Sequence, residues 1–360
     1  MIRMAVGLLG CVWLLAGALS GTSGATDFYA GKTIEVVVPF KEGGGTDVWM
    51  RVMAPYLQKH IAGNPKILIR NIPGGESIHG VNQYVLRSKA DGLNMVATSA
   101  TNYFHALLGV KAVQYDLTKL KPLLVNPVGG AVYAAPNIGI KTPADLAKPT
   151  ERLVYAGISA TGLDLVMLLA FEVIGVDLKA VLGYEGRGPS RLAFERGESN
   201  IDYQTTPAYL ASVVPLVKTG KAVPLLSFGQ MSDAGALERD PAFTDLPTVG
   251  EVYELLHKKK PVGPAWEAYK AFNVAAFSIQ KILWVKPEAP AESIQAVLEA
   301  IDRLQKDSEF LQKADKVLGG YPALRGDRME AGIHRTFQLP PEARRFLLDL
   351  LEKKYNTVVK

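Results

Sequence analysis

The stretch from residue 33 to residue 51, TIEVVVPFKEGGGTDVWMR, constrains the fold more than any other part of the chain. Its β-branched run from Ile34 to Val38 predicts a buried strand, which Pro39 ends because proline has no N–H to donate to a neighbouring strand. Three glycines follow, and Thr46 and Asp47 are then good N-cap residues for an amphipathic helix. The stretch therefore predicts a strand, a glycine loop and a helix start.

A glycine loop of this kind can bind an anion. Glycine lets the backbone approach a ligand closely, and the first turn of a helix offers unpaired N–H groups at the positive end of its dipole. The loop therefore suits a carboxylate or a phosphate. The alternative is that Gly43, Gly44 and Gly45 only form a tight turn between strand and helix.

The first 25 residues predict a secretory signal segment. Arg3 is followed by an apolar run through Leu19 and then by small residues. A membrane anchor is the alternative, but the apolar run is short and no charged flank follows it. We expect the mature protein to begin near Thr26 and to lack cysteine, because Cys11 lies in the removed segment.

Composition limits the classes of function. The 360 residues can hold two domains, and 48% hydrophobic with 21% charged residues is ordinary for a soluble globular protein. The net charge of +5 is mild, residues of the two signs are interspersed, and the only basic run is Lys258, Lys259 and Lys260. The sequence therefore indicates no nucleic-acid partner.

Strand-like and helix-like segments alternate along the chain, which predicts an α/β fold with parallel sheets covered by helices. The predicted strands are 34–38, 66–70, 93–97, 153–156, 179–182, 201–204, 222–228 and 282–285. Prolines and glycines between residues 120 and 136 predict a crossover between two domains. We expect a first domain of residues 26–126 and 283–360 and a second domain of residues 127–282, with a ligand cleft between them.

Helix-compatible segments dominate the end of the chain, and we predict helices at 291–306, 308–318, 326–337 and 341–355. The last of these is amphipathic and is expected to pack on the first domain. Residues 251–277 are predicted to be irregular because Pro261, Gly263 and Pro264 interrupt their helix-compatible runs.

Several local patterns, in their order and spacing over nearly all of the mature chain, resemble the Bug family, the periplasmic solute-binding proteins of tripartite tricarboxylate transporters. The residues that carry this resemblance are Pro39, Phe40, Gly43, Gly44, Asp47, Asn71, Pro73, Gly74, Gly75, Asp91, Gly92, Tyr184, Gly186, Gly188, Pro189, Leu246, Pro247, Thr248 and Glu251. Departures from the family pattern occur at Lys41 and Glu42, over residues 158–164, and before Lys286, where the usual tryptophan-glycine stretch is missing.

The resemblance implies a two-lobe periplasmic-binding-protein fold of the Venus flytrap, type II-like kind, with a ligand cleft between the lobes. It also implies a periplasmic receptor, most simply a monomer, that captures a small di-, tri- or aromatic carboxylate without catalysis or a cofactor. The receptor would deliver this solute to the large and small permease subunits of a tripartite transporter. The alternatives are a ligand sensor for a membrane receptor kinase and a secreted hydrolase.

The candidate site residues lie on loops at strand ends in both predicted domains. In the first, backbone N–H groups of the glycine loop would grip a ligand carboxylate, Asp47 would cap the helix, and hydroxyl and amide side chains would add contacts. These residues are Gly43, Gly44, Gly45, Thr46, Asp47, Thr98, Ser99, Thr101 and Asn102. In the second, the candidates are Ser159, Thr161, Tyr184, Arg187, Gln204 and Thr205.

Each candidate has a simpler structural interpretation. The hydroxyl and amide side chains can cap helices without binding anything. Arg187 can pair with a ligand carboxylate, but it can also form an ordinary surface pair with Glu185 or Glu195.

Signals of catalysis and of metal binding are weak. Residues 157–162 miss the G-x-S-x-G spacing of a hydrolase nucleophile by one position. The five histidines are scattered without metal-ligand spacing, and the glycine loop is neither a dinucleotide fingerprint nor a P-loop. We therefore expect no catalytic residues and no metal site.

Overall fold

The computed structural model describes residues 28–232, 235–336 and 340–359. The predicted signal segment over residues 1–25 lies outside these ranges. No helix within them is both long and apolar enough to span a bilayer.

Eleven strands form two sheets, and two short strands form a separate pair among the described residues. In chain order the strands are β1 (Thr33–Val38), β2 (Lys66–Asn71), β3 (Asn94–Ser99), β4 (Lys121–Asn126), β5 (Gly130–Ala134), β6 (Leu153–Ala156), β7 (Leu178–Val181), β8 (Ile201–Thr205), β9 (Val223–Ser227), β10 (Gln230–Met231), β11 (Leu237–Glu238), β12 (Lys281–Val285) and β13 (Leu324–Arg325).

Helices cover the sheets. They are α1 (Gly45–His60), α2 (Ile78–Arg87), α3 (Ala100–Leu108), α4 (Asp164–Ile174), α5 (Arg187–Glu195), α6 (Thr206–Ala208), α7 (Val214–Lys218), α8 (Val249–His257), α9 (Pro264–Asn273), α10 (Ala291–Leu304), α11 (Ser308–Leu318), α12 (Gly326–Thr336) and α13 (Pro341–Tyr355). Short π-helical turns follow α6 and α9.

Both main sheets are mixed, so the prediction of parallel sheets was only partly right. The first has the order β13-β4-β12-β3-β1-β2, in which β1 is parallel to β2 and β3 while β12 runs antiparallel between β3 and β4. The second has the order β7-β6-β8-β5-β9, in which β5 is antiparallel to both of its neighbours. The antiparallel strands β5 and β12 are those by which the chain crosses between the sheets.

Each main sheet belongs to one lobe, and the apolar core around α4 and α9 of the second lobe extends to Val96 and Phe104 of the first. In the first lobe α1 and α10 pack together on the sheet, and the Trp49 indole donates a hydrogen bond of 2.9 Å to Asn126 at the end of β4. In the second lobe α4 is buried along nearly its whole length, which agrees with its almost entirely apolar sequence. The carboxyl ends of β1, β3 and β8 therefore lie at the boundary between the lobes.

The segment predicted to be irregular, 251–277, forms most of α8 and all of α9. Thr248 and Glu251 make a capping box that starts α8, and Lys258 ends it in a left-handed conformation. Gly263, with φ of 99°, and Pro264 at the first helical position then start α9. Gly263 and Pro264, which predicted a break in the helical segment, thus mark the start of the second helix.

The last helix also differs from its prediction. α13 packs against α9, and the Lys354 ammonium donates a hydrogen bond of 2.7 Å to Glu172 on α4. Its buried residues Leu347 and Leu351 join the core that surrounds α4 and α9, on the second lobe. Amphipathicity showed that this helix has an apolar face, but the sequence carries no signal for which lobe that face contacts.

Candidate functional site

The two glycine loops that the sequence singled out face each other across the boundary between the lobes. The Lys41 amide donates a hydrogen bond of 3.1 Å to the Glu185 carbonyl oxygen. A Cβ atom built on Gly44 would lie 3.4 Å from the Gly188 nitrogen, and one built on Gly45 would overlap the Thr205 hydroxyl. The lobes are therefore in direct contact, in a closed arrangement.

A narrow cleft of about 20 Å³, about the room of one water molecule, lies behind this contact in the closed arrangement. Seven of the candidate residues line it: Gly44, Gly45, Thr46, Ser99, Thr101, Arg187 and Thr205. Five further lining residues were not predicted: Phe40, Ile158, Leu163, Gln280 and Lys281. Among the described residues there is also a larger groove on the outer face of α1, but none of its lining groups is a buried polar atom without a partner.

Lys281 is the most unusual residue of the cleft. It begins β12 and is only 2% exposed, and its ammonium group donates a hydrogen bond of 2.8 Å to the Thr46 hydroxyl. No carboxylate of the described residues lies within ion-pair distance of it. Burial lowers the pKa of Lys281 well below its usual value, because the charged form loses its hydration.

The glycine loop adds backbone donors beside Lys281. The Gly43 amide is already used, since it donates a hydrogen bond of 2.9 Å to Asp47, which also accepts one from Arg51. The helix begins at Gly45, with Gly44 as an N-cap that offers no side chain, so the predicted capping by Thr46 and Asp47 was wrong. Within the described part of the chain, the Gly45 and Thr46 amides have no acceptor.

Arg187 lines the cleft, and the alternative of a surface pair with Glu185 or Glu195 is wrong. It is 6% exposed, and its guanidinium donates hydrogen bonds to two buried carboxylates, Asp202 and Asp164. It also donates to the Tyr155 hydroxyl at 2.9 Å and lies 4.2 Å from the Tyr203 ring centroid. Burial raises the pKa of Asp202, although Arg187 opposes this effect. The charge of Arg187 is thus compensated within the second lobe.

Several buried polar atoms on the cleft lining have no hydrogen-bond partner among the described residues. They are the Arg187 Nε, the Thr205 hydroxyl and both polar atoms of the Gln280 amide. Because buried polar groups in proteins are nearly always hydrogen-bonded, such a cluster indicates a place where a ligand supplies the missing partners. Lys281 and the free amides of the glycine loop belong to the same cluster.

A chain of hydrogen bonds joins the lobes beside the cleft. The Ser159 hydroxyl donates to the Glu76 carboxylate and lies 2.9 Å from the Thr161 hydroxyl. The His105 Nδ1 is 2.9 Å from the same Thr161 hydroxyl, and its Nε2 is 2.9 Å from the Glu76 carbonyl oxygen. A carbonyl oxygen only accepts, so the Nε2 carries a proton. Burial lowers the pKa of His105 to about 4.

The remaining candidates lie outside the cleft lining and have structural contacts. Thr98 accepts a hydrogen bond of 2.6 Å from the Trp284 indole inside the first lobe, and Asn102 forms a capping box with Ser99. The Tyr184 hydroxyl donates a long hydrogen bond of 3.4 Å to Glu198 on the surface. Gln204 donates to the Arg187 carbonyl oxygen at 2.7 Å and so fixes the start of α5.

Lys281 and Gln280 were missed by sequence reasoning although a signal was present. Two adjacent polar residues precede the apolar strand residues Ile282 to Val285, in the region where the family pattern is broken. Lysine is almost never fully buried unless it is paired. Nothing local in the sequence, however, shows that both side chains turn inward.

Metal binding has no geometric support. Within the residues that the structure describes, no group of three or more His, Cys, Asp or Glu side chains is arranged to hold a metal ion.

Sequence comparison detects relatives over most of the chain, although no family model matches it. A UPF0065 protein of Agrobacterium vitis, from the TAR-I ttuE-ttuC' intergenic region, is 23% identical over 344 residues, which cover 92% of this chain and 88% of the relative. The protein BugT of Bordetella pertussis is 26% identical over 239 residues, covering 63% of this chain and 68% of BugT. The resemblance to the Bug family is confirmed.

Solved structures agree on the fold. The periplasmic binding protein BugD superposes with a TM-score of 0.67 at 19% identity, covering 88% of this chain and 97% of BugD. MatC of Rhodopseudomonas palustris, solved with bound malate, gives 0.66 at 17% identity and covers 88% of this chain and 99% of MatC. The Rpa4515 protein of R. palustris, solved with adipate, gives 0.65 at 20% identity, covering 85% and 94%. The predicted α/β two-lobe fold of Bug-type periplasmic binding proteins is thereby confirmed.

Proposed function

We propose that this protein is a periplasmic solute-binding receptor that captures a small carboxylate in the cleft between its lobes. The observation that carries the proposal is the buried Lys281 ammonium, which has no carboxylate partner among the described residues and lies beside the free amides of the glycine loop. A carboxylate placed there would receive charge-assisted hydrogen bonds from Lys281 and from the positive end of α1.

The lining of the cleft supports binding coupled to closure. Gly45 and Lys281 belong to the first lobe, whereas Arg187 and Thr205 belong to the second. A ligand that contacts both lobes favours the closed arrangement by the free energy of those extra contacts. Relatives in fold that were solved with malate and adipate, and others described as periplasmic, support the same function and location for this chain.

The proposal includes delivery of the carboxylate to a membrane transporter and excludes its chemical conversion. The closed receptor would dock on the large and small membrane subunits of a tripartite transporter, which would receive the carboxylate when the lobes open. The cleft is lined by a compensated arginine, an isolated lysine and neutral side chains, which suit the binding of a carboxylate. The bound carboxylate should therefore be recovered unchanged.

Titration calorimetry with a panel of aliphatic and aromatic carboxylates tests the proposal. We expect at least one carboxylate to bind with a dissociation constant in the micromolar range, about 8 kcal/mol of binding free energy. Gly44→Val should weaken that binding at least tenfold. A Cβ atom added at this position would itself contact Arg187 and Gly188, so the branched side chain of valine would have no room. The exposed change Val262→Thr is the control and should leave the affinity unaltered.

Two results would contradict the proposal. One is the absence of any carboxylate that binds or raises the melting temperature of the protein. The other is chemical conversion of a bound carboxylate during incubation, detected by mass spectrometry, which would favour an enzyme.

A further inference from the structure

The two buried cations of the cleft differ in their counter-charges. Arg187 is bonded to Asp164 and Asp202, so its surroundings hold two carboxylates for one guanidinium. Lys281 has the Thr46 hydroxyl as its partner and no carboxylate among the described residues. The cleft therefore has one cation that needs an anion, on the first lobe, and a second-lobe side that is neutral or negative.

The neighbours of Lys281 strengthen this asymmetry. On the flanking strands its register partners are Ser99 and Asn126, which carry no charge. Across the cleft, Thr205 is neutral and Arg187 is already compensated. No other residue that lines the cleft carries a negative charge, so a bound anion is the counter-charge available to the Lys281 ammonium there.

The cleft also offers hydrogen bonds without charge, from Thr205 on the second lobe and from Gln280 between the lobes. The Thr205 hydroxyl and the two polar atoms of the Gln280 amide are buried and lack partners within the described residues. They can bond a hydroxyl, a carbonyl or an amide group of a ligand. A second carboxylate there would lose its hydration, and the Arg187 guanidinium across the cleft is already compensated by Asp164 and Asp202, so the buried charge of this carboxylate would be unfavourable.

We propose that the solute is a short monocarboxylate with an uncharged hydrogen-bonding group at its other end, and that Lys281 selects it by neutralising its single charge. This inference rests on the proposed function and narrows its ligand class. The carboxylate binds Lys281 and the amides of the glycine loop, and the uncharged end binds Thr205 and Gln280. Arg187 is chiefly a positioning residue that holds the second-lobe loop; its charge is compensated by Asp164 and Asp202, and its free Nε–H can donate one hydrogen bond to the uncharged end of the ligand.

Dicarboxylates and their monoamides test this assignment, because each pair has the same chain length and nearly the same shape but differs by one charge. We would titrate the purified protein with malonamate and malonate, succinamate and succinate, and glutaramate and glutarate in a calorimeter. In the best-binding pair the monoamide should bind at least tenfold more tightly than the diacid. The use of three lengths prevents a poor fit of one chain from hiding the effect.

Lys281→Met provides the second arm, since methionine has nearly the length of lysine and carries no charge. It should weaken binding of the preferred monoamide at least fiftyfold while the variant remains folded by circular dichroism. Lys119→Met, at an exposed position, is the matched control and should bind as the parent does.

The outcomes separate the two proposals. If diacids bind as tightly as their monoamides, or if Lys281→Met binds the monoamide as well as the parent, carboxylate capture stands and the assignment to Lys281 is overturned. If no monoamide, diacid or other carboxylate binds, the proposed function and this inference both fail.

Discussion

At the scale of a single side chain, Lys281 shows how a residue that we propose binds the ligand lowers the stability of the solute-free folded protein. Its ammonium is buried and bonded to one hydroxyl, so it has lost most of its hydration without a compensating charge. Such a group destabilises the solute-free protein, and the loss is recovered only when an anion arrives. A residue kept for folding alone would be apolar here, like the neighbouring Ile282 and Leu283.

We therefore expect Lys281→Met to stabilise the solute-free protein by about 1–3 kcal/mol at pH 7. The gain should shrink as the pH rises. The folded-state pKa of Lys281 lies below its unfolded value, so the unfolded chain binds the extra proton, and the parent becomes more stable as the pH approaches 10.5.

Calorimetric unfolding of both proteins between pH 7 and pH 10 measures this difference. The exposed change Lys119→Met should shift stability by less than about 0.5 kcal/mol at every pH and serves as the control. A Lys281→Met variant less stable than the parent at pH 7 would show that the ammonium has an internal counter-charge.

Sequence reasoning singled out the backbone part of the candidate site and Arg187, and it missed Lys281. The three glycines and the strand before them are a local pattern, so the loop could be predicted without knowing the rest of the fold. The partners of Arg187 lie 23 and 15 residues away, at Asp164 and Asp202, and no periodicity links them. Lys281 depends on an even longer contact, with Thr46, 235 residues distant.

At the scale of elements, the start of α1 serves both as part of the first lobe and as a contact surface for the second. Gly45 is the first residue of the helix and has no positive φ, so its own backbone tolerates a side chain. What forbids a Cβ atom is the Thr205 side chain at the end of β8, in the other lobe. The absence of a side chain at Gly45 is thus required by closure and not by helix geometry.

Gly45→Ala should therefore leave each lobe folded but hinder their closure. We expect carboxylate affinity to fall at least tenfold, while the circular dichroism spectrum stays that of the parent. The double variant Gly45→Ala with Thr205→Gly removes the overlapping atoms and should regain part of the closure, though it also loses the Thr205 hydroxyl contact.

Thr205→Gly alone supplies the reference for that lost contact. Coupling in this double-mutant cycle, measured as calorimetric affinities, should exceed about 1 kcal/mol. Strictly additive effects would mean that the two loops are not in contact in the bound protein.

Elements with strong periodicity were predicted well, and their boundaries and partners less well. Eight strands were found because their apolar runs are flanked by prolines and glycines, whereas β4 and β5 were predicted only as part of a crossover. The two helices within residues 251–277 were missed because Gly263 and Pro264 suit a helix start as well as a break. Which lobe α13 covers depends on tertiary contacts that no local pattern encodes.

At the scale of the whole molecule, the chain passes between the lobes at residues 127–129 and again at residues 279–280, which form a pair of adjacent hinge segments. Near the end of the chain, α12 contacts β4 of the first lobe, whereas α13 packs on the second lobe through Leu347 and Leu351. Closure is further supported by the hydrogen-bond chain in which His105 of the first lobe meets Thr161 of the second.

His105 makes this closed arrangement sensitive to acid. Its pKa of about 4 in the closed form lies below the usual value of 6.5, because burial disfavours the charged ring, although Glu76 and Asp164 partly oppose this. A form in which the ring is hydrated binds a proton more readily between pH 6.5 and pH 4. The stability of closure is therefore full above pH 6.5 and falls with pH, by about 2 kcal/mol at pH 5.

We predict that the solute-free protein opens as the pH is lowered from 7 to 5, and that its radius of gyration, measured by small-angle X-ray scattering, increases. His105→Gln should suppress this response, because the glutamine amide can donate to the Glu76 carbonyl oxygen and accept from Thr161 without titrating. An equal increase in both proteins would place the acid sensitivity elsewhere. A constant radius in both would mean that the loop contacts hold the lobes together independently of this ring.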